Sequence, residues 1–207
     1  METTCFNVNG RLLFRCWANE HFEKLCNGIV PIGESFPSIY NEEILERAHQ
    51  EAQRIITLLD LRNGALNFDF IITPDKKIYF LEIGPRNGGC LIPDVIKYAT
   101  GIDMIKLTVD SALGIACNNL KIRGVDGYWS SYMIHSIKNG KFKKVDVSEN
   151  LSKNIVDMQL WVKTGDDVFK YAGSNHILGT MILKFDSKEE MINKMDNMEN
   201  YVKVSLY

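Results

Sequence analysis

This 207-residue chain has no long apolar run; none approaches the roughly 18–20 residues that span a bilayer. Its start does not pass from positive charge into an apolar stretch, so neither a membrane anchor nor a secretory signal is expected. Cysteine is sparse. Cys5, Cys16, Cys26, Cys90 and Cys117 form an odd set without Cys-x-x-Cys spacing, which argues against a zinc site, a dithiol redox centre or a disulfide framework. Reduced thiols in a cytoplasmic protein are the expectation. Basic clusters are missing too. Lys143-Lys144 is a scattered pair of the kind that sits on solvated surface, and the formal net charge is −2, so nucleic acid is not an expected partner. Glycine-rich phosphate loops are absent, Gly88-Gly89 being the only adjacent glycines, and there is no internal repeat or low-complexity segment.

What is present suffices for a packed core. Hydrophobic residues make up 45% and charged residues 24% of the chain, as in ordinary globular proteins, and the length allows one domain or two small ones. A strand from Thr3 to Val8 leads through an Asn9-Gly10 turn into a second strand, Arg11 to Trp17. Ala18 to Tyr40, with Gly28, Pro31, Gly33 and Pro37, reads as irregular chain covering one edge of a site, which makes His21 and Glu34 candidates for substrate contact. Asn41 suits the cap of a helix from Glu42 to Leu59, whose Ile44, Leu45, Ala48, Ala52, Ile55, Ile56 and Leu59 recur at helical spacing and form a core face. Pro93–Tyr98 and Asp103–Leu113 read as two more helices, broken by Gly101 and stopped by Gly114.

Cys117 to Asp126 reads as a linker. Beyond it, strands are expected at Gly127–Ser136, at Lys141–Val147 after an Asn139-Gly140 hairpin turn, and at Ile155–Val162, Ile177–Phe185 and Val202–Leu206. A helix from Ser187 to Met198 opens with a capping box, Ser187 and Glu190. His135 and His176 fall in this half and read as structural or surface histidines. Two domains are thus expected, residues 1–116 and residues 127–207, the second a small α+β unit.

The segment from Gly64 to Gly89 carries the chemistry. Asn67-Phe-Asp-Phe-Ile-Ile72 and Ile78-Tyr-Phe-Leu-Glu-Ile83 read as two strands joined by the turn-forming Thr73-Pro-Asp-Lys-Lys77. With Thr73 paired to Ile78 and a loop of Pro74 to Lys77, period-two alternation puts Ile78, Phe80 and Glu82 on one face and sets Glu82 opposite Asp69. A loop one residue longer or shorter sends the two acids to opposite faces. Opposed like charges destabilise a sheet. Three arrangements relieve them: both acids turned to water on a surface hairpin, one acid protonated by its neighbour's charge, or a hard cation such as Mg²⁺ held between them. The residues just after Glu82 favour the cation. Gly84-Pro85 ends the strand, Arg86 offers a donor fork for phosphate or carboxylate, and Gly88-Gly89 lets backbone approach a ligand closely.

On these residues, Phe68-Asp-Phe-Ile followed by Tyr79-Phe-Leu-Glu-Ile-Gly-Pro-Arg86, the chain resembles the metal-binding hairpin of the ATP-grasp superfamily, which includes biotin carboxylase, carbamoyl-phosphate synthase and related carboxylate–amine ligases. Gly101-Ile-Asp-Met-Ile-Lys106 through Ala112-Leu-Gly114 is similar to the helix that follows this motif, and Glu42–Leu59 to the one before it. Residues 127–207 bear a more distant similarity to the small C-terminal domain of biotin carboxylase. The fold implied is α+β: an antiparallel sheet with helices on one face, forming the C-terminal half of an ATP-grasp domain, followed by a small α+β domain.

The resemblance implies ATP and Mg²⁺ as cofactors, with Asp69 and Glu82 as metal ligands and Ile71 under the adenine ring. Arg86 would contact the transferred phosphate or the carboxylate substrate. Many members carry an asparagine ligand where this chain has Gly84, so Asn87 or water would supply the missing oxygen. The activity implied is a ligase that phosphorylates a small-molecule carboxylate to an acylphosphate and passes it to an amine; no general base is identifiable. Cys90, beside the glycine pair, would line the site without acting as nucleophile, since phosphoryl transfer needs no thiol. Because the glycine-rich phosphate loop is missing, the expectation is half of such an enzyme, either a truncated fragment or a subunit completed by a separate chain, with a homodimer as a further candidate assembly. A non-catalytic scaffold that keeps the fold is the alternative function. A biotin-dependent carboxylase fits the same hairpin, with nothing in the sequence to confirm it.

Overall fold

Asn9 and Gly10 take φ of 51° and 77°, the left-handed pair that a two-residue hairpin turn requires. The flanking strands pair antiparallel from Glu2↔Ala18 to Val8↔Arg11. They belong to a computed structural model that describes residues 1–117, 120 and 124–207. The expected linker Cys117–Asp126 therefore lies partly outside the described residues. The strands are β1 (Glu2–Val8), β2 (Arg11–Phe22), β3 (Pro31–Phe36), β4 (Gly64–Ile72), β5 (Ile78–Gly84), β6 (Tyr128–His135), β7 (Gly140–Val147), β8 (Ile155–Leu160), β9 (Asp167–Val168), β10 (Ile177–Phe185) and β11 (Val202–Leu206). The helices are α1 (Glu42–Leu58), α2 (Ile92–Thr100), α3 (Met104–Ala112), α4 (Glu149–Ser152) and α5 (Lys188–Met195). The architecture is α+β with antiparallel sheets, as the sequence suggested. It divides into two units: Met1–Asn19 with Phe36–Asp126, and Glu20–Ser35 with Gly127–Tyr207.

In the first unit the strand order is β5-β4-β1-β2. Asn41 caps α1 by accepting a hydrogen bond from the Ile44 N–H at 3.1 Å. The helix buries Ala48, Ala52 and Ile56 against one face of the sheet, where they meet Cys5, Leu66, Phe68 and Phe70. Phe80 joins that face, its ring 5.4 Å from Phe68 and 5.3 Å from Phe70. Each buried phenylalanine contributes about 1.5–3 kcal/mol through its apolar area, so this aromatic cluster anchors the β4–β5 hairpin to α1. Thr4 alternates with Cys5 and points to the other face, where a Cβ on Gly88 would lie 2.6 Å from its hydroxyl oxygen. The glycine is what lets the loop after β5 come down on β1 before α2 begins. Gly101, at φ 76°, ends α2 in the left-handed cap that glycine favours.

The chain enters the second unit along β2. The sequence stops that strand at Trp17 and reads Ala18–Tyr40 as irregular; the structure continues it to Phe22 and adds β3. Asn19 and His21 disguised the strand. Both are polar yet buried, Asn19 donating to the Pro37 carbonyl and His21 bonded to Asp196 and Ser35. A second correction concerns Asn139-Gly140, which is not a hairpin turn between neighbouring strands. β6 lies between β3 and β10, so no edge is left for β7, which joins a separate sheet of order β11-β7-β9. The Asn139 Oδ1 accepts the Lys170 N–H at 2.7 Å, and the chain turns out of one sheet into the other. The core of this unit combines Tyr132, Ile134, Met181 and Leu183 of the sheet with Met191 and Met195 of α5.

Helix α5 opens as the sequence indicated, Ser187 accepting from the Glu190 N–H at 3.1 Å. Glu190 has a second role. Lys194 is 5% exposed, and its ammonium donates to Glu190 Oε1 and Asn154 Oδ1, both at 2.8 Å, and to the Asn150 carbonyl at 2.7 Å. The Lys194 bond holds the Glu190 carboxyl down at about 2, from an ordinary 4.5. A folded-state value below the unfolded one adds stability that is complete above about 4.5 and lost as the pH falls through about 2. Glu190→Gln is expected to cost about 3 kcal/mol at neutral pH, because it strands a buried ammonium. Denaturant titrations should show that deficit narrowing as the pH falls across that window.

Candidate functional site

The Asp69–Glu82 pair is where two errors of local reading cancel. The turn is Thr73–Lys77, one residue longer than the alternation argument assumed, since Ile72 rather than Thr73 pairs with Ile78. Lys76 closes it at φ 61°, and the Thr73 N–H donates to the Lys77 carbonyl at 2.9 Å. That register alone would put the acids on opposite faces. A β-bulge between Asp69 and Phe70 intervenes, with Leu81 as the extra residue, and restores Asp69↔Glu82. Phe80 and Glu82 therefore do not share a face. Phe80 turns to α1, while Glu82 turns with Asp69 to the other side. The bulge lets one short strand satisfy both the aromatic core and the acid pair.

The remaining site residues build on this frame. Ile71, two residues beyond Asp69 on the same face, is 48% exposed and presents a bare apolar side chain. Thr4 donates its hydroxyl to Asn67 Oδ1 at 2.9 Å, which orients the amide so that Nδ2 points to Asp69 Oδ1 at 3.5 Å. Gly84 explains how the chain manages without a side chain at that position. A Cβ there would stand 3.2 Å from both Cγ and Nε of Arg86, which folds back over the glycine and donates to the Asn87 carbonyl at 2.8 Å. The Asn87 amide donates to Thr108 at 3.0 Å, and its Oδ1 is buried with no hydrogen-bond partner. Beside Arg86 runs a groove of about 430 Å³ lined by Gly64, Ala65, Pro85 and Thr108 among others. Burial, and then the charge of Glu2, push the Cys90 thiol up.

Glu2 is the residue that local reasoning missed. On β1 it pairs with Asp69, so Glu2, Asp69 and Glu82 form one row across three strands on one face. The β1–β4 pairing joins residues far apart in sequence, and nothing local announces it. His21 and Glu34, expected to touch substrate, lie in the second unit. Both His21 ring nitrogens are engaged, Nδ1 with Asp196 at 2.7 Å and Nε2 with Ser35 at 2.8 Å, and the residue is 4% exposed. The His21 bond holds the Asp196 carboxyl below its ordinary range. His135 is likewise tied to Glu23 at 2.7 Å, as suits a structural histidine. No helix among the described residues is long and apolar enough to cross a membrane.

The fold is similar to that of several solved enzymes, over part of their length. Phosphoribosylglycinamide synthetase from Anaerococcus prevotii is 23% identical; the similarity covers 100% of this chain and 53% of that one, with a TM-score of 0.81. The L-amino acid ligase from Bacillus licheniformis is 17% identical, with coverage of 100% and 51% and a TM-score of 0.83. Biotin carboxylase from Campylobacter jejuni, solved with an ATP analogue, is 18% identical, with coverage of 99% and 45% and a TM-score of 0.70. This chain thus spans about half the length of these structures. Among curated sequences, the uncharacterized protein y4rH of Sinorhizobium fredii is 25% identical over 138 residues, which is 66% of this chain and 28% of that protein. No family model matches the sequence.

Proposed function

We propose that this chain supplies the metal-binding half of the nucleotide site in an ATP-dependent carboxylate–amine ligase. The observation that carries the reading is the Asp69–Glu82 pair, two acids set opposite each other by a bulge in a hairpin whose other face is already committed to the core. Such a pair fits Mg²⁺ bound to a nucleotide, and so does the unpartnered buried oxygen of Asn87. Among the described residues no three acid, histidine or cysteine side chains converge into a ready-made cage. Phosphate oxygens and water would complete the shell, as is usual for Mg²⁺. When bound, Mg²⁺ neutralises phosphate charge.

The chain's own residues do the rest. Asp69 and Glu82 hold the metal, with the Asp69 carboxylate kept in place by Asn67 and Thr4. Ile71 offers an apolar seat for the adenine. Arg86 swings from its place over Gly84 to meet the transferred phosphate or the carboxylate. In the reaction class, a carboxylate oxygen attacks the terminal phosphorus and ADP departs; the amine nitrogen then attacks the acyl carbon, phosphate leaves and an amide forms. The glycine-rich loop that grips the phosphates would come from polypeptide beyond these residues, joined to them or on a separate chain.

Manganese is the test probe. With Mn-ADP, paramagnetic broadening is expected to centre on the Asp69 and Glu82 amides and to vanish in the Asp69→Asn/Glu82→Gln double variant. Broadening centred elsewhere overturns the metal assignment. Mg-ATP should raise the melting temperature of this chain alone by only about 1 °C, a small mass-action effect, because half the cage is elsewhere; tight binding would overturn the half-site reading. Gly84 in place of asparagine favours a second reading, a non-catalytic scaffold. Manganese binding without turnover once the missing half is supplied would select it.

A further inference from the structure

We propose that Glu2 seats the ammonium group of the ligase's amine substrate. The inference rests on the ligase reading and names the class of acceptor: a primary amine that binds as its cation. Glu2 is 8% exposed and, among the described residues, has no hydrogen-bond or ion-pair partner for its carboxylate. A carboxylate on a mostly buried residue and without a partner is stabilised by a counter-charge brought to it. Its pairing with Asp69 fixes the direction of the side chain, onto the face that carries Asp69 and Glu82. Thr4, on the same face of β1, lies under Gly88, so the loop after β5 covers this end of the row as well. The unpaired charge thus borders both halves of the candidate site.

The chemistry of the occupant is set by what Glu2 offers. It supplies one carboxylate, and a second divalent ion would need several oxygen ligands. The three acids of the row do not converge into such a group. An ammonium matches a single carboxylate in charge and donates up to three hydrogen bonds.

The test needs no turnover. The isotope-labelled chain is titrated with methylammonium chloride, with potassium, guanidinium and magnesium chlorides at matched ionic strength as controls, and its amide spectrum is followed. Methylammonium is expected to shift the Glu2, Thr3 and Asp69 amides saturably. Glu2→Gln, nearly isosteric, should weaken that response at least about tenfold, the scale of one hydrogen bond to a charged group, while Glu51→Gln, on the exposed side of α1, leaves it in place and Glu2→Asp retains part of it. The proposal is overturned if methylammonium leaves these amides unmoved, if Glu2→Gln responds like the parent, or if magnesium alone gives the Glu2-dependent shift. A methylammonium response with no Mn-ADP broadening at Asp69 would sink the ligase reading instead.

Discussion

Glu82→Gln and Asp69→Asn are each expected to lower Mg-ATP-dependent turnover of the complete enzyme about a thousandfold, with the fold intact. The size reflects the loss of one of two protein ligands to a charge-neutralising ion, on the scale seen when a preorganised electrostatic group is removed. The stability change should run the other way. Glu82 and Asp69 face each other across the hairpin, and opposed like charges cost roughly 0.2–1 kcal/mol. Glu82→Gln relieves that repulsion and should leave the protein equally or slightly more stable in urea. Structural acids do not behave in this way, as Glu190 with its buried lysine shows. Steady-state ADP release and chemical denaturation of the same samples check both halves of the prediction. Normal rates in both variants would remove the metal assignment.

Gly179→Ala should have the largest effect on stability. Gly179 lies on β10, which is flanked by β6 and β8. A Cβ there would fall within 3.0 Å of the Leu160 Cα and closer still to the Gln159 carbonyl oxygen. Both obstacles are backbone of the paired strand β8, held by the Gly179↔Leu160 and Thr180↔Gln159 pairings. Unlike the end of a long side chain, that backbone cannot move aside without breaking the ladder. Overpacking of this kind costs about 3 kcal/mol or more. Urea denaturation should show the loss, with Gly89→Ala, which meets nothing within 4 Å, as the neutral control. An unchanged midpoint in Gly179→Ala would mean that β8 is not pinned where the structure puts it.

The legible parts of the sequence were those with local causes. Asn9-Gly10 produced its hairpin because both residues tolerate positive φ. Asn41 and Ser187 capped their helices because a short polar side chain reaches the free N–H groups within one turn. Failures came where a distant partner decided. His21 and Asn19 looked like loop residues until buried partners accounted for them. Asn139-Gly140 had the composition of a hairpin turn, but neighbours on both sides of β6 excluded β7. In the metal hairpin, alternation reached the right pair of acids through a turn one residue too short, because a bulge is invisible to a period-two argument.

Composition and short-range chemistry therefore sufficed to determine the α+β class, the Asn41 and Ser187 caps and the Asn9-Gly10 turn, since each depends on residues within a few positions; the two opposed acids, Asp69 and Glu82, were reached only because a bulge offset a turn read one residue short. Long-range pairing alone decided that Glu2 joins their row, that Phe80 and Glu82 part company at Leu81, and that β7 belongs to a second sheet. Strand neighbours are chosen by the burial of whole faces against distant segments, and that free energy is not written in any one stretch of chain.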